Sequence, residues 1–325
     1  MLGIFPASGA LGTSTLTHLL ALLPPEQRSS VVLAARHPDK LKAQGEQGAM
    51  IRQADYDRPD TLEPAFEGVK TLCLISYASV QNDHRFEAHK LAIDAAIRAG
   101  VSHIVYSSLG FAGAPESNES VTQVMAAHLR TEAYLEELQQ EKGEAFSYTI
   151  IREGLYAESY PIYTAFFTLS SPSSPIRIPH DGSGPGVAWV KRDELGEATA
   201  KILLALFAPS LPSAAMGEFR NSTLLLSGPK VYTLAETVAL LGVHCTPPRP
   251  DLRIEQVSVD QYAAQSSVKG VLEYGGEDYA VKWATAWEGI RQGETAVVTG
   301  DLEHILGRKP ETFEETVREM AKQAA

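Results

Sequence analysis

The sequence predicts an α/β protein built on a doubly wound parallel sheet, and three observations carry that prediction. Short apolar runs of strand length recur along the first half of the chain. Amphipathic stretches with a 3.6-residue period separate them. The first strand-to-helix junction carries Pro6-Ala7-Ser8-Gly9-Ala10-Leu11-Gly12, a glycine-bearing turn. Together these give a Rossmann-type sheet over residues 1–155, followed by a smaller mixed α/β region over 156–325 whose strands can return to the first sheet.

The elements follow in order. Leu2 to Phe5 is the first buried strand, and Thr13 to Leu23 has the periodicity of the helix after it. Val31 to Ala35 is β-branched and apolar, the second strand, and a third is centred on Ala49 to Gln53. A short helix spans Leu62 to Val69. Thr71 to Ser76 is the next strand, Arg85 to Ala99 a helix closed by Gly100, and Ser102 to Ser107 another strand. A long helix over Val121 to Glu141 leads into the strand Phe146 to Arg152. Ser170 to Pro185 is rich in Ser, Pro and Gly and reads as a long loop. Beyond it come the helix Glu194 to Phe207, a strand over Asn221 to Ser227, the helix Thr233 to Leu241 and a strand near Arg253 to Val259. The carboxyl end reads as helical from Tyr279 and again from Thr312.

Composition narrows the function. A chain of 325 residues that is 44% hydrophobic buries a sizeable core, and its formal charge of −12 argues against a nucleic-acid phosphate backbone or an anionic membrane as partner. Two cysteines, Cys73 and Cys245, are too few for a disulfide framework and suit a reducing compartment. No stretch approaches the roughly eighteen apolar residues of a membrane span, and the amino terminus carries no basic leader, so a cytoplasmic monomer or homodimer is expected. No P-loop, Cys/His cluster or G-x-S-x-G is present, which disfavours phosphoryl transfer, metal-assisted hydrolysis and serine hydrolase chemistry.

The glycine turn points to a dinucleotide. Gly9 lets a pyrophosphate approach the backbone, Gly12 lets the helix pack closely, and the free amides of the helix start favour the anion. Pro6 stands where the first glycine usually does; it stiffens the loop and removes one donor. At the end of the second strand, where an NAD site places an acid on the ribose 2′-hydroxyl, this chain has Arg36-His37-Pro38-Asp39-Lys40. A guanidinium there suits a 2′-phosphate, although a solvated Arg at a strand end has the same appearance. Asp55 faces the adenine or caps the helix behind it.

In order along the chain, PASGALG at 6–12, AARHPDK at 34–40, IDAAIRAGVSHIVYSS at 93–108, HLRTEAYLEEL at 128–138, SYTIIREGLYAESY at 147–160 and VKRDELGEATAKIL at 190–203 resemble the NmrA-like atypical short-chain dehydrogenases. The likeness is strongest to their NADPH-dependent quinone oxidoreductase branch and to averufin-oxidase-like fungal tailoring proteins. It implies NADP(H) as cofactor, held by Ser8, Gly9, Ala10, Leu11, Gly12, Arg36, Lys40 and Asp55, with Ser76 and Tyr77 beside the ribose and nicotinamide.

The Tyr-x-x-x-Lys pair of ordinary short-chain dehydrogenases is absent, since none of the twelve tyrosines has a lysine four residues on. In its place His128 and Glu132 lie one helical turn apart, a position where NmrA-like relatives carry Lys or His. His128 is the expected proton donor and Glu132 its orienting partner, or the two simply stabilise the helix. Tyr156, Tyr160 and Tyr163, with Phe166 and Phe167, would wall the cleft for a flat aromatic substrate, Tyr156 close to the chemistry, or would pack as core. Glu153 belongs either to that pocket or to a salt bridge. The expected function is therefore an NADPH-dependent oxidoreductase acting on a flat aromatic, quinone-like or ketone substrate, with a place in fungal polyketide metabolism. The alternative is a non-catalytic NADP(H)-binding sensor of the NmrA type.

Overall fold

A computed structural model describes residues 1–170, 175–211, 219–274 and 277–324. The first half alternates strand and helix: β1 (Leu2–Phe5), α1 (Ala10–Leu22), β2 (Val31–Ala35), α2 (Lys42–Glu46), β3 (Met50–Gln53), α3 (Leu62–Phe66), β4 (Thr71–Ile75), α4 (Asn82–Arg98), β5 (His103–Leu109), α5 (Ala126–Lys142) and β6 (Ser147–Glu153). Then follow α6 (Tyr160–Tyr163), β7 (Ile176–Ile178), α7 (Arg192–Phe207), β8 (Ser222–Leu226), α8 (Leu234–His244), β9 (Ile254–Gln256) and α9 (Val259–Ala263). The hairpin β10 (Glu273–Tyr274) and β11 (Glu277–Asp278) precedes α10 (Ala280–Trp283), α11 (Thr285–Arg291), α12 (Asp301–Leu306) and α13 (Phe313–Ala324).

Seven strands form one parallel sheet in the order β3-β2-β1-β4-β5-β6-β8. Its central strands are apolar on both faces because helices cover both. One face packs under α1, α7 and α12, with Leu16, Leu19, Leu195 and Leu203 among its buried residues; the other packs under α3, α4 and α5, with Phe66, Ile93 and Leu135. The chain reverses direction across the sheet between β1 and β4, and ligands of such sheets sit outside the carboxyl ends of the strands at that point.

The sequence reading did not include α9, the β10–β11 hairpin or α12, and two further segments differ from it for a visible physical reason. The long helix begins at Ala126 rather than Val121, after a 3₁₀ turn at Gln123–Met125. The carboxylate of Glu294, far along the chain, accepts from the Val121 amide at 2.7 Å and from the hydroxyls of Ser120 and Thr122 at 2.8 and 3.0 Å. Those groups are therefore spent on a tertiary contact rather than on the helix. The expected loop over Ser170 to Pro185 contains β7, which pairs in parallel with β9 and buries Ile176 and Ile178 on either side of exposed Arg177. Residues 171–174 of that loop lie outside the described residues.

Candidate active site

A cleft of about 490 Å³ opens at the carboxyl ends of β1 to β4. Ser8 to Gly12, Arg36, Lys40, Asp55, Ser76 and Tyr77 all line it, together with Pro6, His37 and Tyr56. The first turn of α1 has no acidic residue, and its cap, Gly9, contributes no side-chain bond. The amides of that turn are thus available to an anion. A Cβ on Gly9 would meet nothing within 4 Å, so this glycine borders open space. On Gly12 the same atom would lie 2.7 Å from the Pro6 carbonyl oxygen and 2.8 Å from that of Ala7. Gly12 therefore serves the packing of helix on turn.

At one end of the cleft Arg36 is 60% exposed and stands 3.9 Å from Asp57. Asp57 also accepts from the Tyr77 hydroxyl at 2.8 and 2.9 Å, with His84 Nε2 at 3.5 Å. Asp55 closes its own turn, accepting the Asp57 amide at 3.1 Å, while its backbone amide donates to Thr61 at 3.0 Å. The geometry of the residues fits a dinucleotide: unspent helix-start amides in the middle, and cationic Arg36 and Lys40 where a 2′-phosphate would lie.

Behind Ser76 runs a buried polar chain. Arg85 donates to Ser76 Oγ at 3.0 and 2.7 Å; Ser76 Oγ lies 3.1 Å from His89 Nε2, which also accepts the Tyr77 amide at 2.9 Å. His89 Nδ1 meets Thr131 at 2.9 Å and Tyr106 at 3.3 Å, and Tyr106 meets His128 Nδ1 at 3.0 Å. His128, at the far end of this polar chain, is 3% exposed. Burial holds both imidazoles well below the ordinary histidine range, with Arg85 adding to the effect, so both are neutral at pH 7.

The expected His128–Glu132 contact is not made. Glu132 forms a buried ion pair with Arg152 at 2.6 Å and accepts from Ser108, whose oxygen lies 3.4 Å from His128 Nδ1. Arg152 supplies the charge that offsets a carboxylate sealed at that depth, and it takes Glu132 away from its helical neighbour. Glu153, at the end of β6, accepts from Ser107 at 2.6 Å and from the Tyr156 hydroxyl. Burial without a cation pushes its carboxyl up to about 7 and raises the Tyr156 phenol well above the usual range.

Tyr160 and Tyr163 are core rather than cleft wall. They are 3% and 4% exposed, and the Tyr163 ring packs against Phe111, Trp189 and Trp283. Phe167 is buried with them. A short helix carrying aromatic residues offers the same spacing to a core as to a ligand, and here the carboxyl-terminal helices claim it.

Residues 7–171 match the NAD(P)H-binding family. The chain belongs to the NmrA-like branch of that family. This NmrA-like protein is 29% identical over 318 residues to the NmrA-like family domain-containing oxidoreductase flvB of Aspergillus flavus, spanning 97% of this chain and 92% of that one. An NADPH-dependent quinone oxidoreductase of Escherichia coli, in complex with NADPH, matches with a TM-score of 0.75 at 26% identity over 98% of this chain and 99% of that chain. The triphenylmethane reductase of Citrobacter sp., in complex with NADP(H), matches with a TM-score of 0.76 at 25% identity over 100% and 99%. The NmrA-like protein is an NAD(P)H-dependent oxidoreductase of quinone-reductase-like build.

Sequence reasoning missed Asp57, Arg85, His89, Tyr106 and Arg152 in this NmrA-like protein. The available signal was thin: His89 is a lone polar residue on the apolar face of α4, beside Ala88, Ala92 and Ile93. Among the described residues, no helix is long and apolar enough to cross a membrane, no group of three or more His, Cys, Asp and Glu is placed to hold a metal, and Cys73 and Cys245 are free and buried.

Proposed function

We propose that the protein reduces a flat aromatic, quinone-like or ketone substrate, using NADPH in preference to NADH. One observation carries this reading: the residues expected to hold the dinucleotide converge on a single cleft, and its Ser76–Tyr77 wall is backed by the polar chain that ends on His128. Arg36 and Lys40 hold the 2′-phosphate, and the amides of the Gly9–Gly12 turn hold the pyrophosphate. NADPH, when bound, supplies a hydride, which carries both electrons. His128 donates a hydrogen bond to the acceptor oxygen, and the single proton that completes the hydroquinone beside the hydride is drawn from solvent through its imidazole. Arg152 and Glu132 hold the strand end behind it. The full-length likeness to an oxidoreductase of Aspergillus flavus supports a redox reaction in this cleft.

The test is NADPH oxidation in the presence of quinones, anthraquinone ketones and triphenylmethane dyes, against an enzyme-free control. Acceptor-dependent oxidation that falls by about a hundredfold or more in His128→Ala, with NADPH affinity unchanged, is the expected result. NADPH binding with no acceptor turned over would favour the sensor.

A further inference from the structure

The unexplained element of the site is why two neutral histidines and a tyrosine are sealed behind the cleft wall. We infer that His89 and Tyr106 are positioning residues that fix His128 as the tautomer protonated on Nε2, so that it meets the acceptor oxygen as a hydrogen-bond donor. This rests on the reading of His128 given above and adds what makes that residue competent.

The assignment starts from the one donor whose direction is fixed by the backbone. The Tyr77 backbone amide donates, and at 2.9 Å it makes His89 Nε2 an acceptor. A neutral His89 then carries its proton on Nδ1. That N–H meets Thr131 Oγ1 at 2.9 Å, and the Thr131 hydroxyl is itself committed to the Ala127 carbonyl at 2.8 Å, so Thr131 accepts. The same N–H faces the Tyr106 oxygen at 3.3 Å. Tyr106 therefore accepts from His89 and donates to His128 Nδ1 at 3.0 Å. The opposite arrangement would set two N–H donors on one phenol oxygen. Ser108 offers the competing partner, because its proton is committed to Glu132 and its oxygen accepts only; at 3.4 Å it is the longer contact. With Nδ1 accepting, a neutral His128 carries its proton on Nε2. Among the described residues no protein group meets Nε2, and it is not one of the sealed, unpartnered side-chain atoms. Nε2 is thus the atom left for the acceptor.

The chain starts at Tyr77, a residue of the cofactor cleft. The amide that orients His89 thus belongs to the wall on which the dinucleotide would rest, and the tautomer is set from the cofactor side.

Nitrogen NMR of the ¹⁵N-histidine-labelled full chain reads this directly, with the His128 signals assigned by their loss in His128→Asn. The expected spectrum has His128 protonated on Nε2 and His89 on Nδ1. In Tyr106→Phe a population of His128 protonated on Nδ1 should emerge as Ser108 becomes its remaining partner. Turnover on any reduced acceptor should fall roughly tenfold, the worth of one ordinary hydrogen bond, with NADPH affinity unchanged. Ser108→Ala should keep the Nε2 tautomer. A wild-type His128 protonated on Nδ1, or a Tyr106→Phe spectrum identical to wild type, overturns the inference. The spectrum needs no acceptor: the expected tautomers with no acceptor reduced would overturn the proposed reaction alone, and reduction by a chain showing the other tautomer would overturn the inference alone.

Discussion

On the proposed reading, the choice of cofactor turns on a single side chain, Arg36. Its guanidinium stands at the end of β2, mostly exposed, with the Asp57 carboxylate 3.9 Å away as its nearest counter-charge. Such a surface pair is weak, so a phosphate dianion can displace it. Arg36→Ala should cost roughly ten- to hundredfold in NADPH affinity, about 1.5–3 kcal/mol, and leave NADH affinity nearly unchanged. Titrations with both cofactors check this, and equal losses for the two would remove Arg36 from the phosphate. That Arg36 and the glycines line one cleft was legible in the sequence because their placement is local, a few residues from a strand end. His89 and Tyr106 were not. They reach His128 across 39 and 22 positions, bridging α4, β5 and α5, and no local period announces such a meeting. Tyr160 and Tyr163 failed differently: their spacing was read correctly, but spacing does not say whether a ring faces ligand or core.

At the scale of elements, α1 is held from two sides, and glycines make both contacts. Gly12 sits against the Pro6 and Ala7 carbonyls, and a Cβ on Gly196 of α7 would come within 2.6 Å of Ser14 Cβ on α1. Gly12→Ala should therefore destabilise the fold by about 1–3 kcal/mol, since backbone carbonyls cannot step aside. It should also weaken NADPH binding by shifting the amides that face the cleft. Denaturant melts with and without NADPH check both effects, and a wild-type midpoint would mean that the turn has slack. Gly9→Val should behave in the opposite way, retaining the fold and losing NADPH, because its Cβ enters the open cleft. Strand positions of the seven-stranded sheet were legible to within a residue or two, because buried parallel strands read as continuous apolar runs. The start of α5 was not, since Glu294 captures the preceding amide from a distance, and β7 was hidden among prolines and serines.

The whole molecule carries its own pH signature through Glu153. Its carboxyl titrates near 7 in the folded chain against an ordinary 4.5, so the folded state binds the proton more tightly than the unfolded chain does. Stability therefore falls as pH rises from about 4.5 to about 7 and is constant above, as far as this group is concerned. Glu153→Gln removes the buried charge. It should be more stable than wild type at pH 8 by up to about 3 kcal/mol, with the gap closing towards pH 4.5. Urea melts at both pH values decide it, and a variant that is less stable at pH 8 would mean that the carboxylate is held by more than Ser107 and Tyr156. The central claim, hydride transfer from NADPH to a flat acceptor within this cleft, is tested most directly by an anaerobic single turnover of the NADPH-loaded chain mixed with one equivalent of a quinone. The account predicts one hydroquinone formed for each NADPH consumed, at a rate that collapses in His128→Ala. Bound NADPH that persists unchanged beside every acceptor offered would contradict it.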